Sequence, residues 1–187
     1  MNDGPVDSPG HRVSIRRVRL HEWREVRELR IRAVSDPAAS IAFLASLEDE
    51  IAREDAFWQS RTADAALGEN AAQFIAEADG RWIGTATVLV RSAGERDTLG
   101  RVVPMSQADL VGVFVDAANR GAGILGELVA AADAWARGAV GAVGLTLDVH
   151  AENLRAQAAY RKLGFEPTGL VLETVSGSEI QMIRAAG

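Results

Sequence analysis

The 187 residues contain no cysteine, one lysine (Lys162) and one tyrosine (Tyr160). Without cysteine there can be no disulfide, thiolate metal site, iron–sulfur cluster or cysteine acyl-enzyme. A lysine Schiff base has one candidate position, and the phosphate loop G-x-x-x-x-G-K-[ST] does not occur. No apolar run approaches the roughly 20 residues of a spanning helix, so no membrane partner is expected. The opening MNDGPVDSPGHR carries acids, prolines and glycines where a secretion signal would carry a basic and then a hydrophobic stretch. Residues 1–12 therefore read as a flexible leader, and the expected compartment is cytoplasmic. His11, His21 and His150 are dispersed, with no ligand spacing for a metal. The net charge of −6 argues against nucleic acid. Trp23, Trp58, Trp82 and Trp135 suit core faces better than a base-stacking platform.

What is present is the composition of a globular protein, 48% hydrophobic and 25% charged, with no repeat or linker after residue 12. One domain over 13–187 is expected. Val13, Ile15 and Val18 suggest a first strand, followed by a helix from about His21 to Val34 that Asp36-Pro37 closes. Leu44, Leu47, Ile51 and Trp58 recur at helical spacing and predict a second helix, sharing one face, to about Thr62. Phe74–Glu77 and Trp82–Val90 flank Ala78-Asp79-Gly80-Arg81, a hairpin signal. Ser92–Gln107 is polar and glycine-bearing and predicts a mobile excursion. Leu110–Val115 reads as a strand, Leu125 to Ala136 as a helix, and Leu145–Val149 as a strand. A short helix through Ala156, Ala159, Tyr160 and Leu163 ends at Gly164, and strands follow at 165–173 and 179–184. Helices interleaved with hairpin-linked strands make a mixed α+β sheet covered on its faces.

The informative segment is the run from Val111 through Gly126, in which a strand delivers Arg120-Gly121-Ala122-Gly123-Ile124-Leu125-Gly126 to a helix start. Free N–H groups, a positive dipole end and glycines that admit close approach suit such a loop to a pyrophosphate. A tight turn with no ligand is the plain alternative. Residues 121–126 also match G-x-G-x-x-G, and Asp148 lies near where a dinucleotide fold places its ribose-binding acid. Against that rival, Asp116 to Arg120 separate the strand from the first glycine, and only 39 residues follow Asp148.

Arg120-Gly121-Ala122-Gly123-Ile124 after Val113-Phe114-Val115 resembles the signature of the GNAT superfamily of acetyl-CoA-dependent N-acetyltransferases. A second block resembles it independently: Leu145–Val149, then Asn153, Ala156, Tyr160, Lys162 and Gly164-Phe165. The pattern departs at Leu125, where the family usually has Gly or Ala, with Gly126 one residue late. The resemblance implies a GNAT-like single domain. Its twisted, mixed, mostly antiparallel sheet would have about seven strands, the fourth and fifth splayed, flanked by about four helices. It implies that Val113, Phe114 and Val115 lie beside the pantetheine arm of acetyl-CoA, and that Gly121, Ala122, Gly123, Ile124, Leu125 and Gly126 surround its phosphates. Arg120, Arg155, Arg161 and Lys162 would supply local positive charge, though each could equally be a solvated surface residue. Asn153 would bind pantetheine amides, cap the following helix, or both.

The implied reaction is acetyl transfer to a primary amine of a small molecule or peptide by direct attack in a ternary complex. An alkylammonium has a pKa of about 10.4, so something must take its proton. Asp109 lies near the position where some relatives carry a glutamate base. Glu77 and water are other routes, and an acid that merely stays wet at a strand edge is the alternative for Asp109. Tyr160 matches the family's general acid, against the alternative of an aromatic on an apolar helix face. A non-catalytic acyl-CoA sensor or interaction module is the second reading of the whole. Glu48, Asp49, Glu50, Glu54 and Asp55 would suit a cationic acceptor, or are a solvated face. A homodimer is left open.

Overall fold

A computed structural model describes residues 13–185 except 38, 44, 141–143 and 175. The expected leader 1–12 lies outside the described residues. The elements run β1 (Ser14–Arg17), α1 (Trp23–Val34), α2 (Leu47–Ala52), α3 (Asp55–Leu67), β2 (Ala71–Ala78) and β3 (Arg81–Arg91). They continue with β4 (Gln107–Val115), α4 (Ile124–Val140), β5 (Gly144–His150), α5 (Leu154–Lys162), β6 (Glu166–Thr174) and β7 (Gly177–Ala185). Seven strands form one sheet in the order β1-β2-β3-β4-β5-β7-β6, antiparallel everywhere except between β4 and β5. This is the mixed α+β sheet expected, with five α-helices where about four were anticipated. No helix of the described residues is long and apolar enough to cross a membrane.

The extra helix comes from a break in the predicted second one. Ser46 and Asp49 form a reciprocal capping box that starts α2, and Arg53 and Glu54 are extended, at ψ 135° and 156°, before α3 begins. The turn rotates the expected common face apart: Trp58 is fully buried while Leu47 and Ile51 are exposed. Leu44 lies outside the described residues.

Alternation along the strands assigns the two faces of the sheet. Ala72, Phe74, Ala86, Val88, Leu110, Leu145, Leu147 and Met182 point to one face and pack with Leu128, Val129 and Ala132 of α4 and Tyr160 of α5. Ile75 and Phe114 point to the other, where Val26 and Leu29 of α1 and Trp58 of α3 close a second core. Gln73, Thr87, Asp109, Thr146, Asp148, His150 and Glu179 share this second face by register. The apolar side is thus sealed, and the polar side is left to α1–α3 and the 92–107 segment.

The Asp79-Gly80 turn has φ of 51° and 74°, the doubly positive geometry of a tight hairpin, as its sequence signals. The excursion is internally hydrogen-bonded. Val103 donates its N–H to the Glu95 carbonyl at 2.8 Å, and Asp97 Oδ1 accepts from the N–H groups of Leu99 and Arg101 at 2.9 Å each. An aspartate closing its own turn in this way gives the polar segment a defined shape that composition alone did not suggest.

Candidate active site

Gly112 interrupts β4 with φ +59°. Opposite it, the register with β3 slips, from Thr87↔Val111 to Thr85↔Phe114, so three steps on β4 answer two on β3. This is a bulge, and a bulge bends the strand that carries it. β4 and β5 pair only at Ala108↔Leu145 and Asp109↔Thr146, and then part. Beyond those positions the strands diverge, leaving Val111–Val115 without β5 as a partner. An isolated glycine inside a strand pattern is the sequence signal for such a bulge.

Two cavities meet at this opening. The first, of about 620 Å³, lies under α1–α3 and the excursion; the second, of about 660 Å³, lies between the glycine loop and α5. Val113, Asn153, Ala156 and Tyr160 line both.

The second cavity gathers Val113, Phe114, Val115, Arg120, Gly121, Gly123, Ile124, Leu125, Gly126, Asn153 and Tyr160. Of the residues expected beside the pantetheine arm and the phosphates, Ala122 alone does not line it. Gly121 and Gly123 have φ of +88° and +84°, a conformation that costs other residues strain. Among the described residues no main-chain bond engages the N–H groups of Gly121, Ala122 or Gly123. The first helical bond runs from Glu127 back to the Gly123 carbonyl at 3.2 Å, so the N–H groups of Ile124, Leu125 and Gly126 have no intrahelical partner. Leu125 packs against the main core, and a Cβ on Gly126 would touch Leu163 at 3.4 Å. The leucine is therefore accommodated by packing, and the late glycine lets α5 approach α4.

Arg120 is committed elsewhere. Its Nε donates to the Val115 carbonyl at 2.8 Å and its Nη2 to Asp36 at 2.5 Å, so it braces the loop against the end of α1 and its charge is already matched. Arg155 and Lys162 line the second cavity, whereas Arg161 does not and bonds Gln157 at 3.2 Å. Asn153 is engaged at both ends: Oδ1 accepts from Ala156 N–H at 3.1 Å, capping α5, and Nδ2 donates to the Ile41 carbonyl at 3.3 Å.

Tyr160 is buried, its ring edge-on to Phe165 at 5.6 Å between centroids. Its hydroxyl has no hydrogen-bond partner among the described residues. Burial pushes its pKa well up, so the phenol stays protonated and keeps its O–H available to donate.

The acids are arranged otherwise than expected. Asp109 lines neither cavity. It is buried between β3 and β5, where Oδ1 accepts from Gln107 at 2.7 Å and Thr146 at 2.6 Å, so it is not a wet strand-edge residue. Burial raises its pKa. Glu77 is bound to Arg16 at 2.9 Å near the β1 edge and lines neither cavity. The carboxylates that line the first cavity from the sheet are Asp148 and Glu179, with His150. Arg101 of the excursion holds Asp148 Oδ2 at 2.6 Å, while Asp148 Oδ1 is buried without a partner. The Glu179 carboxylate has no hydrogen bond among the described residues, and burial raises its pKa, opposed by His150 and reinforced by Asp148. Glu179 and His150 were missed as a pair because only the β5–β7 register makes them neighbours. Asp148 sits in the first cavity, away from the glycine loop, which removes the ribose-binding role a dinucleotide fold would give it. The antiparallel sheet removes that fold itself.

The surface acids divide too. Glu48, Asp49, Glu54 and Asp55 are exposed, but Glu50 is buried between Arg30 and Arg53 at 3.0 and 2.9 Å. Among the described residues no group of three or more His, Asp or Glu is placed to hold a metal ion.

The sheet is parted between two adjacent strands, and a cavity opens on either side of the parting. The acetyltransferase (GNAT) family model matches residues 23–165, and the chain belongs to that family. Its class of chemistry is acetyl transfer. No curated protein matches by sequence. Among solved structures, the PaiA N-acetyltransferase of Thermoplasma acidophilum in complex with coenzyme A superposes with a TM-score of 0.71 at 18% identity, covering 94% of this chain and 99% of that one. A GNAT-family acetyltransferase of Streptococcus pneumoniae gives 0.70 at 17%, covering 94% and 100%. Arabidopsis thaliana NAA60 with a bisubstrate analogue gives 0.66 at 15%, covering 94% and 100%. At these identities the likeness is one of fold.

Proposed function

We propose that this protein transfers an acetyl group from acetyl-CoA to a primary amine by direct attack within a ternary complex. The observation that carries the reading is Tyr160, a protonated and unpartnered hydroxyl on the wall shared by two cavities at the β4–β5 parting. The pyrophosphate would rest on the N–H groups of Gly121 to Gly126, which have no other bonds to lose. The pantetheine amides would pair with β4 at Val113–Val115, where the sheet lacks its next strand. The thioester would then lie at the parting, with the acceptor in the first cavity.

The amine arrives as an ammonium and must lose a proton before it can attack. Glu179 and Asp148 line the acceptor side, and burial lifts both pKa values toward the range of a working base. Asp148 is restrained by its bond to Arg101; Glu179 has no such bond and is the better acceptor. Asp109 would act behind them, by holding Thr146 and the strand start in place. Main-chain N–H groups near Val115 would stabilise the oxyanion. Tyr160 would donate a hydrogen bond to the departing thiolate. Full transfer is unfavourable, since a thiol near pKa 8.5 is a stronger acid than even an unperturbed tyrosine near 10.

The test has two parts. Coenzyme A at about 100 times its Kd should stabilise the fold by about 2.7 kcal/mol, a shift of roughly 5–10 °C in Tm. Acetyl-CoA with a panel of primary amines should then release free thiol. Stabilisation without thiol release across the panel would favour a sensor, and no stabilisation would remove the cofactor assignment.

A further inference from the structure

The helical side of the first cavity carries three guanidinium groups, Arg30 of α1, Arg53 after α2 and Arg61 of α3. Among the described residues their buried counter-ion is Glu50, and both its oxygens are engaged: Oε1 accepts from Arg30 at 3.0 Å and Oε2 from Arg53 at 2.9 Å. Phe43 and Phe57 hold the same two guanidiniums in place, at 4.6 and 4.2 Å from the ring centroids. Arg61 has nothing. It is partly buried, lines the cavity, and makes no hydrogen bond or ion pair with any described residue. Asp64, one turn further along α3, is exposed and forms no ion pair with it.

An arginine cannot shed its proton to escape such a place. Burial first, and then the charges of Arg30 and Arg53, oppose its cationic form; the charge of Glu50 favours it without offsetting them. A partly desolvated cation with five donors and no acceptor, beside two more cations, is stabilised by an anion from outside the chain. The sheet side of the same cavity has the opposite sign, with Asp148 and Glu179. With three arginines against Glu50 and Asp64, the helical lining keeps an excess of positive charge, while the sheet lining beside the parting of β4 and β5 carries the negative charge of Asp148 and Glu179.

We infer that Arg61, flanked by Arg30 and Arg53, is the subsite for an oxyanion of the acceptor. Resting on the acetyl-transfer reading, this makes the acceptor a zwitterion: an amine that also carries a carboxylate or a phosphate. Its ammonium end meets the two acids and its anionic end meets the arginine fork. A polycation is disfavoured, because it would bring positive charge to a guanidinium that already faces two others and has no anion bonded to it. A cavity of about 620 Å³ accommodates a small molecule of this kind.

The test uses the full chain saturated with coenzyme A, so that the glycine loop is already filled. Thermal shift is measured with inorganic phosphate and with two matched pairs, leucine against leucinamide and phosphoethanolamine against ethanolamine. Thiol release from acetyl-CoA is followed with the same pairs and with spermidine. Wild type should be stabilised by phosphate and by the anionic member of at least one pair, and which pair answers separates a carboxylate from a phosphate. In Arg61→Gln that stabilisation should vanish. KM for the anionic amine should rise on the order of ten- to a hundredfold with kcat little changed. Arg61→Lys, which keeps the charge without the fork, should recover part of it. Arg61 has no internal partner to orphan, so the variants should fold with a Tm at least equal to wild type. Equal response to both members of every pair, an unchanged response in Arg61→Gln, or a preference for spermidine would overturn the inference. Anion binding that needs Arg61 but brings no thiol release would sustain the subsite while overturning the transfer reading.

Discussion

Arg101 and Asp148, 47 residues apart, are joined by a charge-assisted hydrogen bond of 2.6 Å that ties the 92–107 excursion to β5. The same guanidinium holds Asp97 at 2.5 Å, so one side chain closes the excursion on itself and clamps it over the first cavity. Thr98 and Leu99 of the excursion line that cavity.

Arg101→Ala should therefore loosen a wall of the acceptor site as well as the fold. Both Asp97 and Asp148 would lose a partner, costing about 2–3 kcal/mol and lowering Tm by roughly 5–10 °C. Calorimetry checks the first effect. Faster proteolysis within 92–107 and a raised KM for the amine, with coenzyme A affinity kept, check the second.

Tyr160→Phe keeps the ring that packs on Phe165 and removes only the hydroxyl. kcat should fall by about 10²–10³, the usual cost of removing one hydrogen-bond donor from a developing charge, while coenzyme A affinity from calorimetric titration stays within about twofold. Equal turnover would return Tyr160 to a packing role.

Glu179 and Asp109 can be told apart by pH. As a base, Glu179 works only when ionised, so kcat/KM should rise with pH through a pKa lifted above the ordinary carboxylate value by burial. Glu179→Gln should abolish that limb and cost at least about 10² in rate. Asp109→Asn should leave the limb in place. Its pKa is also raised by burial, so the folded state holds its proton more tightly than the unfolded chain. Stability at this site is greatest below the ordinary value and declines as pH rises through the raised one. Asp109→Asn should flatten that decline in a Tm-against-pH series.

Gly112→Ala isolates the bulge from sterics, because a Cβ there would meet only Thr87 Oγ1 at 3.9 Å. The cost is the positive φ alone, about 1–2 kcal/mol in global stability. If the bulge sets the parting of β4 and β5, coenzyme A should also bind more weakly, by roughly three- to tenfold in titration.

Much of this protein is legible in its local sequence. The Asp79-Gly80 hairpin, the strand and helix of each motif block, Asn153 before α5 and Gly164 after it all rest on contacts within a few residues. Local periodicity and turn chemistry record such contacts directly. So does the Arg120–Gly126 loop, whose free N–H groups follow from where α4 begins. The helix break at Arg53-Glu54 was not legible, because Leu47, Ile51 and Trp58 keep helical spacing across it.

Which acids face the acceptor, and which arginine lacks a partner, was decided by tertiary structure. Asp109, Asp148 and Glu179 look alike along the chain, and strand register and the Gly112 bulge alone sort one behind the sheet's opening and two beside it. Arg61 reads as an ordinary surface charge until α1, α2 and α3 converge and Glu50 is taken up by its neighbours. Charge balance at a point depends on residues brought together through space, and that proximity is written in packing and pairing rather than in any local stretch of sequence.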